Sequence, residues 1–242
     1  TIDVSKATGS GSDVLVVNAF QFSSSAELTF IGSDDKDVSV NFTGGSGNDT
    51  LTTSKTAEDK ADTLTGSLGQ DTFHIVATDR AAEIEDLGTG GQDALIVEDI
   101  AKGVVAKVKA DYISPVETSN SKSTADVVLN AENGVDINMI YARGLFGYTI
   151  NGGAAGSTLQ GSNFNDVITG GSFNDSLVGN AGDDTFIGGE GADTFYGSTG
   201  NDRINDAGIG RDFIIYDRGQ SLVVQNTGTE SVKLTATKVG AI

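Results

Sequence analysis

The sequence predicts an elongated all-β fold, a stack of short strands, and three observations predict it. Residues 152 to 205 consist of six consecutive nine-residue stretches: GGAAGSTLQ, GSNFNDVIT, GGSFNDSLV, GNAGDDTFI, GGEGADTFY and GSTGNDRIN. Upstream, in residues 1 to 43, short runs rich in β-formers recur every ten to fourteen residues, separated by Ser, Gly and Asp. No helical period competes with either pattern. Composition alone does not produce a strict period of nine over that length.

The template of the regular block is G-[G/S/N]-x-[G/F/A]-x-[D/S]-x-(apolar)-x. Position 1 is Gly152, Gly161, Gly170, Gly179, Gly188 and Gly197. Position 6 is Ser157, then Asp166, Asp175, Asp184, Asp193 and Asp202. Position 8 is always apolar: Leu159, Ile168, Leu177, Phe186, Phe195 and Ile204. Glycine reaches φ > 0 without a Cβ penalty, so the first half of each unit can fold back as a tight turn. The second half reads as a three-residue strand with one side chain inward and two outward. One unit cannot bury its apolar residue, but a stack of units can.

Stacking at roughly 4.8 Å per layer brings the position-6 carboxylates of successive layers together. Such a column of like charge repels itself. A hard cation such as Ca²⁺, held by carboxylates and turn carbonyls, removes the repulsion. These residues resemble the RTX family, the hemolysin-type calcium-binding nonapeptides GGxGxDxUx. The resemblance implies a right-handed parallel β-roll or β-helix with two nonapeptides per coil. Each calcium would lie between turns on one side of the roll, two repeats apart. The implied pairs are Asp166 with Asp184, Asp175 with Asp193, and Asp184 with Asp202. Turn carbonyls would come from matching positions such as Gly171, Gly182, Gly189, Gly191, Gly200 and Gly210. Two departures matter: Phe164 and Phe173 replace Gly at position 4, which distorts those turns, and Ser157 leaves the first repeat without a carboxylate.

Taken in order, residues 1–97 are expected to form irregular parallel β coils. The runs Val14 to Val17, Leu28 to Ile31 and Val38 to Phe42 supply the first strands, with a small independent β-sandwich as the rival reading. An imperfect block follows over 44–97. GGSGNDTLT matches the template throughout, with Asp49 at position 6 and Gly45 and Gly47 in its turn. AEDKADTLT places Asp62 but lacks the glycines, GSLGQDTFH places Asp71, and GTGGQDALI places Asp93. Asp49, Asp71 and Asp93 are calcium candidates, with Asp62 a weaker one.

Residues 98–151 break the pattern and read as an insertion or connector, either projecting from the roll or joining two rolls. Ala101 to Ala110 suits a strand or a short helix, and Pro115 sits in a polar loop running to Ser123. Val127 to Leu129 and Val135 to Tyr141 suggest a hairpin turned at Glu132, Asn133 and Gly134. The regular roll then spans 152–215. One extra residue, Asp206, shifts its frame before AGIGRDFII restores it with Gly208, Gly210 and Asp212. The runs in 216–242 would form a C-terminal β cap over the open end.

The formal net charge of −19 argues against nucleic acid and anionic membrane as partners. No apolar run is long enough to insert in a membrane. With no Cys, disulfides and thiolate metal sites are excluded, and calcium is the available staple. The chain begins at Thr1 without Met or a signal peptide, which reads as a processed product or an excised piece. His74, the only histidine, falls at an outward position 9, and no HExxH is present. Asp34, Asp35, Glu83 and Glu85 read as turn and strand-surface groups. No enzyme is expected.

Three functions fit. The first is a calcium-binding structural segment of a secreted bacterial surface-layer protein, which the Ser/Thr/Gly/Asn-rich composition resembles. Its partners would be copies of itself in a lattice, assembled on extracellular Ca²⁺, or neighbouring domains of a larger chain. The second is a folding module of a larger type I-secreted protease, lipase or toxin. The third is an adhesin segment using 98–151 to hold a ligand. All three place several calcium ions on the chain outside the cell.

Overall fold

The computed structural model describes all residues except 10–12, 20–25, 56–59, 78–79, 198, 207–209, 217–220, 227–232 and 235–242. Its strands form three sheets, and every strand pair in them is parallel. One sheet of 11 strands runs the whole length, from Asp13–Asn18 to Ser221–Asn226. Its opposite face is supplied first by a 7-stranded sheet that runs from Ile2–Asp3 to Arg143–Gly144. A second 7-stranded sheet, from Tyr112–Ile113 to Lys233–Leu234, then takes over.

The exchange takes place over two coils in the middle of the stack. In the regular block Thr149 pairs with Val167 and Val167 with Thr185, so each coil holds two nonapeptides and no more. In the middle Val104 pairs with Val127, a longer step along the chain. The two middle coils carry a third strand, whereas the N-terminal coils, with aspartates 22 residues apart, carry only two. Val104–Val108, Tyr112–Ile113 and Ser119–Asn120 lie in three different sheets, as do Val127–Ala131, Ile137–Asn138 and Arg143–Gly144. The roll is two-sided, becomes three-sided for two coils, and is two-sided again with a new second face. Tyr112, Met139, Ala142 and Tyr148 fill the wider interior.

The position-8 residues stack in register as the sequence requires. Leu159, Leu177, Phe195 and Ile214 form one column, and Ile150, Ile168, Phe186 and Ile204 the facing one. Phe30, Leu51, Phe73 and Leu95 form the column of the N-terminal half. The middle residue of Ser176–Val178 is buried and its neighbours only partly so, the one-in, two-out pattern of a three-residue strand. Burying each Leu or Phe stabilises by about 1.5–3 kcal/mol. Leu177→Ala, which opens a gap between coils, is expected to cost about 2–5 kcal/mol in chemical denaturation; a cost near zero would mean this column is not packed.

Several expectations change. Residues 98–151 do not project; their strands continue all three sheets. Val104–Val108 is a strand, not a helix, and the loop after Pro115 contains the strand Ser119–Asn120. The hairpin over 127–141 does not form, because Val127–Ala131 and Ile137–Asn138 belong to different sheets. The coil is long enough to turn a corner there instead of reversing. The N-terminal runs join the same parallel stack, so they are not a separate sandwich. At the C-terminus Ser221–Asn226 and Lys233–Leu234 extend two sheets; the remainder of the expected cap, and Gly208, lie outside the described residues.

Candidate metal centres in the turns

Each position-6 aspartate sits at the corner where a strand begins, just before it or, for Asp202, within its first residues, and the stack brings these corners together in three columns. Asp49, Asp71 and Asp93 line one edge of the first short sheet. Asp166, Asp184 and Asp202 line the long sheet, and Asp175, Asp193 and Asp212 the second short sheet. All nine are buried, with at most 4 % exposure. Within a column the backbone N–H of one aspartate donates to Oδ1 of the aspartate one coil further on. The distances are 2.8 Å for Asp49 to Asp71, 2.9 Å for Asp71 to Asp93, 2.9 Å for Asp166 to Asp184 and 3.1 Å for Asp184 to Asp202. Asp175 donates to Asp193 at 2.9 Å and Asp193 to Asp212 at 3.0 Å. The three pairs implied by the sequence are therefore neighbours, and the extra residue Asp206 does not break the column. The N-terminal aspartates pair over a longer stretch of chain than two nonapeptides, a spacing that the irregular repeats hide.

Oδ2 of Asp49, Asp71, Asp166, Asp175, Asp184 and Asp193 faces the glycine at position 1 of its repeat. A Cβ on Gly161 would lie 2.5 Å from Asp166 Oδ2, and one on Gly170 2.6 Å from Asp175 Oδ2. In these six repeats space for the carboxylate makes position 1 glycine, while Gly88, at position 1 of the Asp93 repeat, takes φ +86°. Positive φ is used elsewhere: at position 4 by Gly182, Gly191 and Gly200, and at position 2 by Gly171 and Gly189. These glycines lie against backbone carbonyls of the preceding coil, Gly171 against Gly153, Gly189 against Gly171 and Gly200 against Gly182. Gly69 approaches the Gly47 carbonyl, and Gly210 that of Gly191, in the same way. Each turn thus offers carbonyl oxygens beside its carboxylate.

Some second oxygens have protein donors: Gly45 N–H reaches Asp49 Oδ2 at 2.9 Å, and Gly88 N–H reaches Asp93 Oδ2 at 2.7 Å. Ser162, through its N–H and hydroxyl, serves Asp166 Oδ2. The Oδ2 atoms of Asp71, Asp175 and Asp184 are buried with no hydrogen-bond partner. Burial, with neighbouring carboxylates adding to it, pushes Asp71 and Asp184 up to about 8. Burial also raises Asp93 and Asp166 to about 7, and it lifts Asp175 above the ordinary carboxylate range. A buried carboxylate that lacks a counter-charge is costly. Oxygen-rich turns with orphaned carboxylate oxygens suit a hard cation. Among the described residues no three His, Cys, Asp or Glu side chains converge, so turn carbonyls would form most of any ion's shell.

Sequence reasoning misses or underweights several features. Asp62 is buried and accepts from Val40 N–H at 2.7 Å. The matching place in the next coil is held by Ala82, so Asp62 heads no column. Asp86 is 5 % exposed and accepts from Gly66 and Ser67 N–H; no repeat match flags it. Position 5 forms an outer ladder, in which Asn165 Oδ1 accepts from Asp183 N–H, Asn174 Oδ1 from Ala192 N–H and Asn48 Oδ1 from Gln70 N–H. The Asn that recurs before the Asp is its visible signal. His74 pairs with Glu98 at 2.8 Å.

The two Phe departures differ. Phe173 is forced to φ +73° and is 65 % exposed, while Phe164 has no positive φ. Asn tolerates this backbone region better. Phe173→Asn is therefore expected to stabilise by about 0.5–1 kcal/mol, read as a higher midpoint in thermal unfolding; a lower midpoint would refute the strain.

A family model of the RTX calcium-binding nonapeptide repeat matches four stretches, residues 41–55, 151–172, 169–204 and 187–222. No curated protein and no solved structure matches the chain. The matched stretches cover both aspartate columns of the regular block and the first carboxylate of the N-terminal one. With these stretches matched and its coils stacked in parallel, the chain carries RTX calcium-binding nonapeptide repeats within an all-β parallel roll.

Proposed function

We propose that this chain is a calcium-hardened structural segment of a secreted bacterial surface-layer protein, folding on extracellular Ca²⁺ and assembling with copies of itself. One observation carries the reading most: RTX turns are built into the same continuous 11-stranded sheet as the irregular coils. Calcium here would stiffen a longer composite rod, roughly 50 Å along the stack at the usual strand spacing, instead of closing a separate tail domain. The rod carries no catalytic role in this reading, and its sites are Asp49, Asp71, Asp93, Asp166, Asp175, Asp184, Asp193, Asp202 and Asp212 with their turn carbonyls. Several ions are expected, because extracellular sites bind at about 10⁻⁴–10⁻³ M and act together.

Negative-stain electron microscopy of the purified chain in millimolar calcium, beside a chelated control, tests the assembly. Ordered sheets or tubes seen only with calcium are the expected result. Dispersed single rods at every protein concentration would overturn self-assembly and favour a folding module of a larger type I-secreted protein.

A further inference from the structure

The cost of burying carboxylates is distributed unevenly along the rod. The N-terminal block buries Asp49, Asp62, Asp71, Asp86 and Asp93, and the regular block buries six more from Asp166 to Asp212. Between them, over 98–151, no Asp or Glu is buried. Glu98, Asp99, Asp111, Glu117, Asp126, Glu132 and Asp136 are all at least partly open to solvent. The interior of this segment is apolar, with Val104, Ala106, Val108, Leu129, Ile137 and Met139 at 0–1 % exposure.

Its buried polar groups are neutral and mostly satisfied within the protein. Tyr112 Oη donates to the Asp93 carbonyl at 2.7 Å, and Asn120 Nδ2 to the Gly147 carbonyl at 2.5 Å. Asn120 Oδ1 accepts from Lys122 N–H at 2.7 Å, and Thr118 Oγ1 from Leu95 N–H at 3.2 Å. Among the described residues of this segment only the hydroxyls of Ser114 and Tyr148 are buried without partners. An unpaired hydroxyl costs far less than an unpaired carboxylate.

The segment also presents an edge to each neighbour. Val104–Val108 pairs with Ala82–Leu87 on one side, and Thr149–Asn151 pairs with Val167–Ser172 on the other. Tyr148 N–H donates to Asp166 Oδ1 at 2.5 Å, so the middle segment receives the first carboxylate of a column. In a stacked fold each coil gains most of its stability from the coil beside it, so folding starts at the most stable coil and spreads. We propose that residues 101–151 are a cation-independent template, which keeps its three-sided coils when calcium is withdrawn and seeds calcium-driven folding of both flanking blocks. The proposal rests on the reading that the flanking blocks need calcium.

Hydrogen exchange on the full chain, resolved by segment, in millimolar calcium and in chelator, tests it. In chelator the amides of Val104–Val108, Val127–Ala131 and Thr149–Asn151 stay protected, while those of 50–75 and 158–216 exchange at least tenfold faster than with calcium. Simultaneous loss of protection over the whole chain would overturn the template and leave calcium dependence standing. Undiminished protection of the flanks would instead overturn calcium dependence, and with it the template. A matched pair of variants separates a template from a merely stable patch. Leu129→Ala is expected to raise the calcium concentration that half-protects both blocks, several-fold. Leu177→Ala should move only the block around 152–216. An effect of Leu129→Ala confined to its own coils would overturn seeding.

Discussion

Asp184→Ala is expected to lower the melting temperature in saturating calcium by roughly 5–10 °C, while Asp34→Ala leaves it nearly unchanged. Asp184 is the middle member of its column: Asp166 N–H donates to its Oδ1, and its own N–H donates to Asp202. Its Oδ2 is buried and unpartnered, as are those of Asp71 and Asp175, so it is one of the atoms most in need of a cation. Losing one ion held at a hundred times its dissociation constant removes about 2.7 kcal/mol, and in a chain of this size that is a shift of the order given. Asp34 is a surface residue whose contacts with Lys6 and Lys55 are exposed. Such pairs contribute little. Differential scanning calorimetry decides the matter. Asp184→Asn sharpens it, because it removes a buried charge while keeping the shape: the variant should be more stable than the parent in chelator and less stable in calcium. Equal melting temperatures for Asp184→Ala and Asp34→Ala would remove Asp184 from the site.

The second large effect is on the pH dependence of the metal-free chain. Asp71 and Asp184 are raised from 3.8 to about 8, and Asp93 and Asp166 from 3.8 to about 7. Because these folded-state values lie above the unfolded value, the metal-free fold holds more protons than the unfolded chain between them. The contribution of these groups to stability is then greatest below about pH 4 and declines as pH rises from there to the folded values of about 7 to 8. Calcium reverses the trend, since it binds the ionised carboxylates and competes with protons. Urea titrations from pH 5 to pH 8 should show the chelated chain weakening and the calcium-loaded chain holding or gaining. A chelated chain at its most stable near pH 8 would contradict the buried, uncompensated state of these carboxylates.

How much of this is legible in the sequence depends on how regular the repeat is. Over 152–205 the period of nine sets the strands, the inward residue and the aspartate neighbours, because each coil holds two nonapeptides and register follows from counting. Asp71 can be matched to the template, but its pairing with Asp49 and Asp93 cannot be read, because insertions stretch those coils to 22 residues. The middle segment misleads for a different reason. Its strands Tyr112–Ile113, Ser119–Asn120 and Ile137–Asn138 are only two residues long and carry no periodicity of their own. They are strands only because neighbouring coils pair with them. The exchange of one short sheet for another is likewise a tertiary event that leaves no local pattern. Glycine at position 1 is recognisable but invites the wrong cause, since a turn and a close carboxylate both exclude a Cβ.

Calcium titration of the full chain by equilibrium dialysis, with far-ultraviolet circular dichroism on the same samples, tests the central claim most directly. Several ions should bind per chain with coupled, steep saturation, and β-structure should rise over the same calcium range. Saturation at one ion or fewer, with an unchanged spectrum, would contradict a roll built on calcium-binding turns.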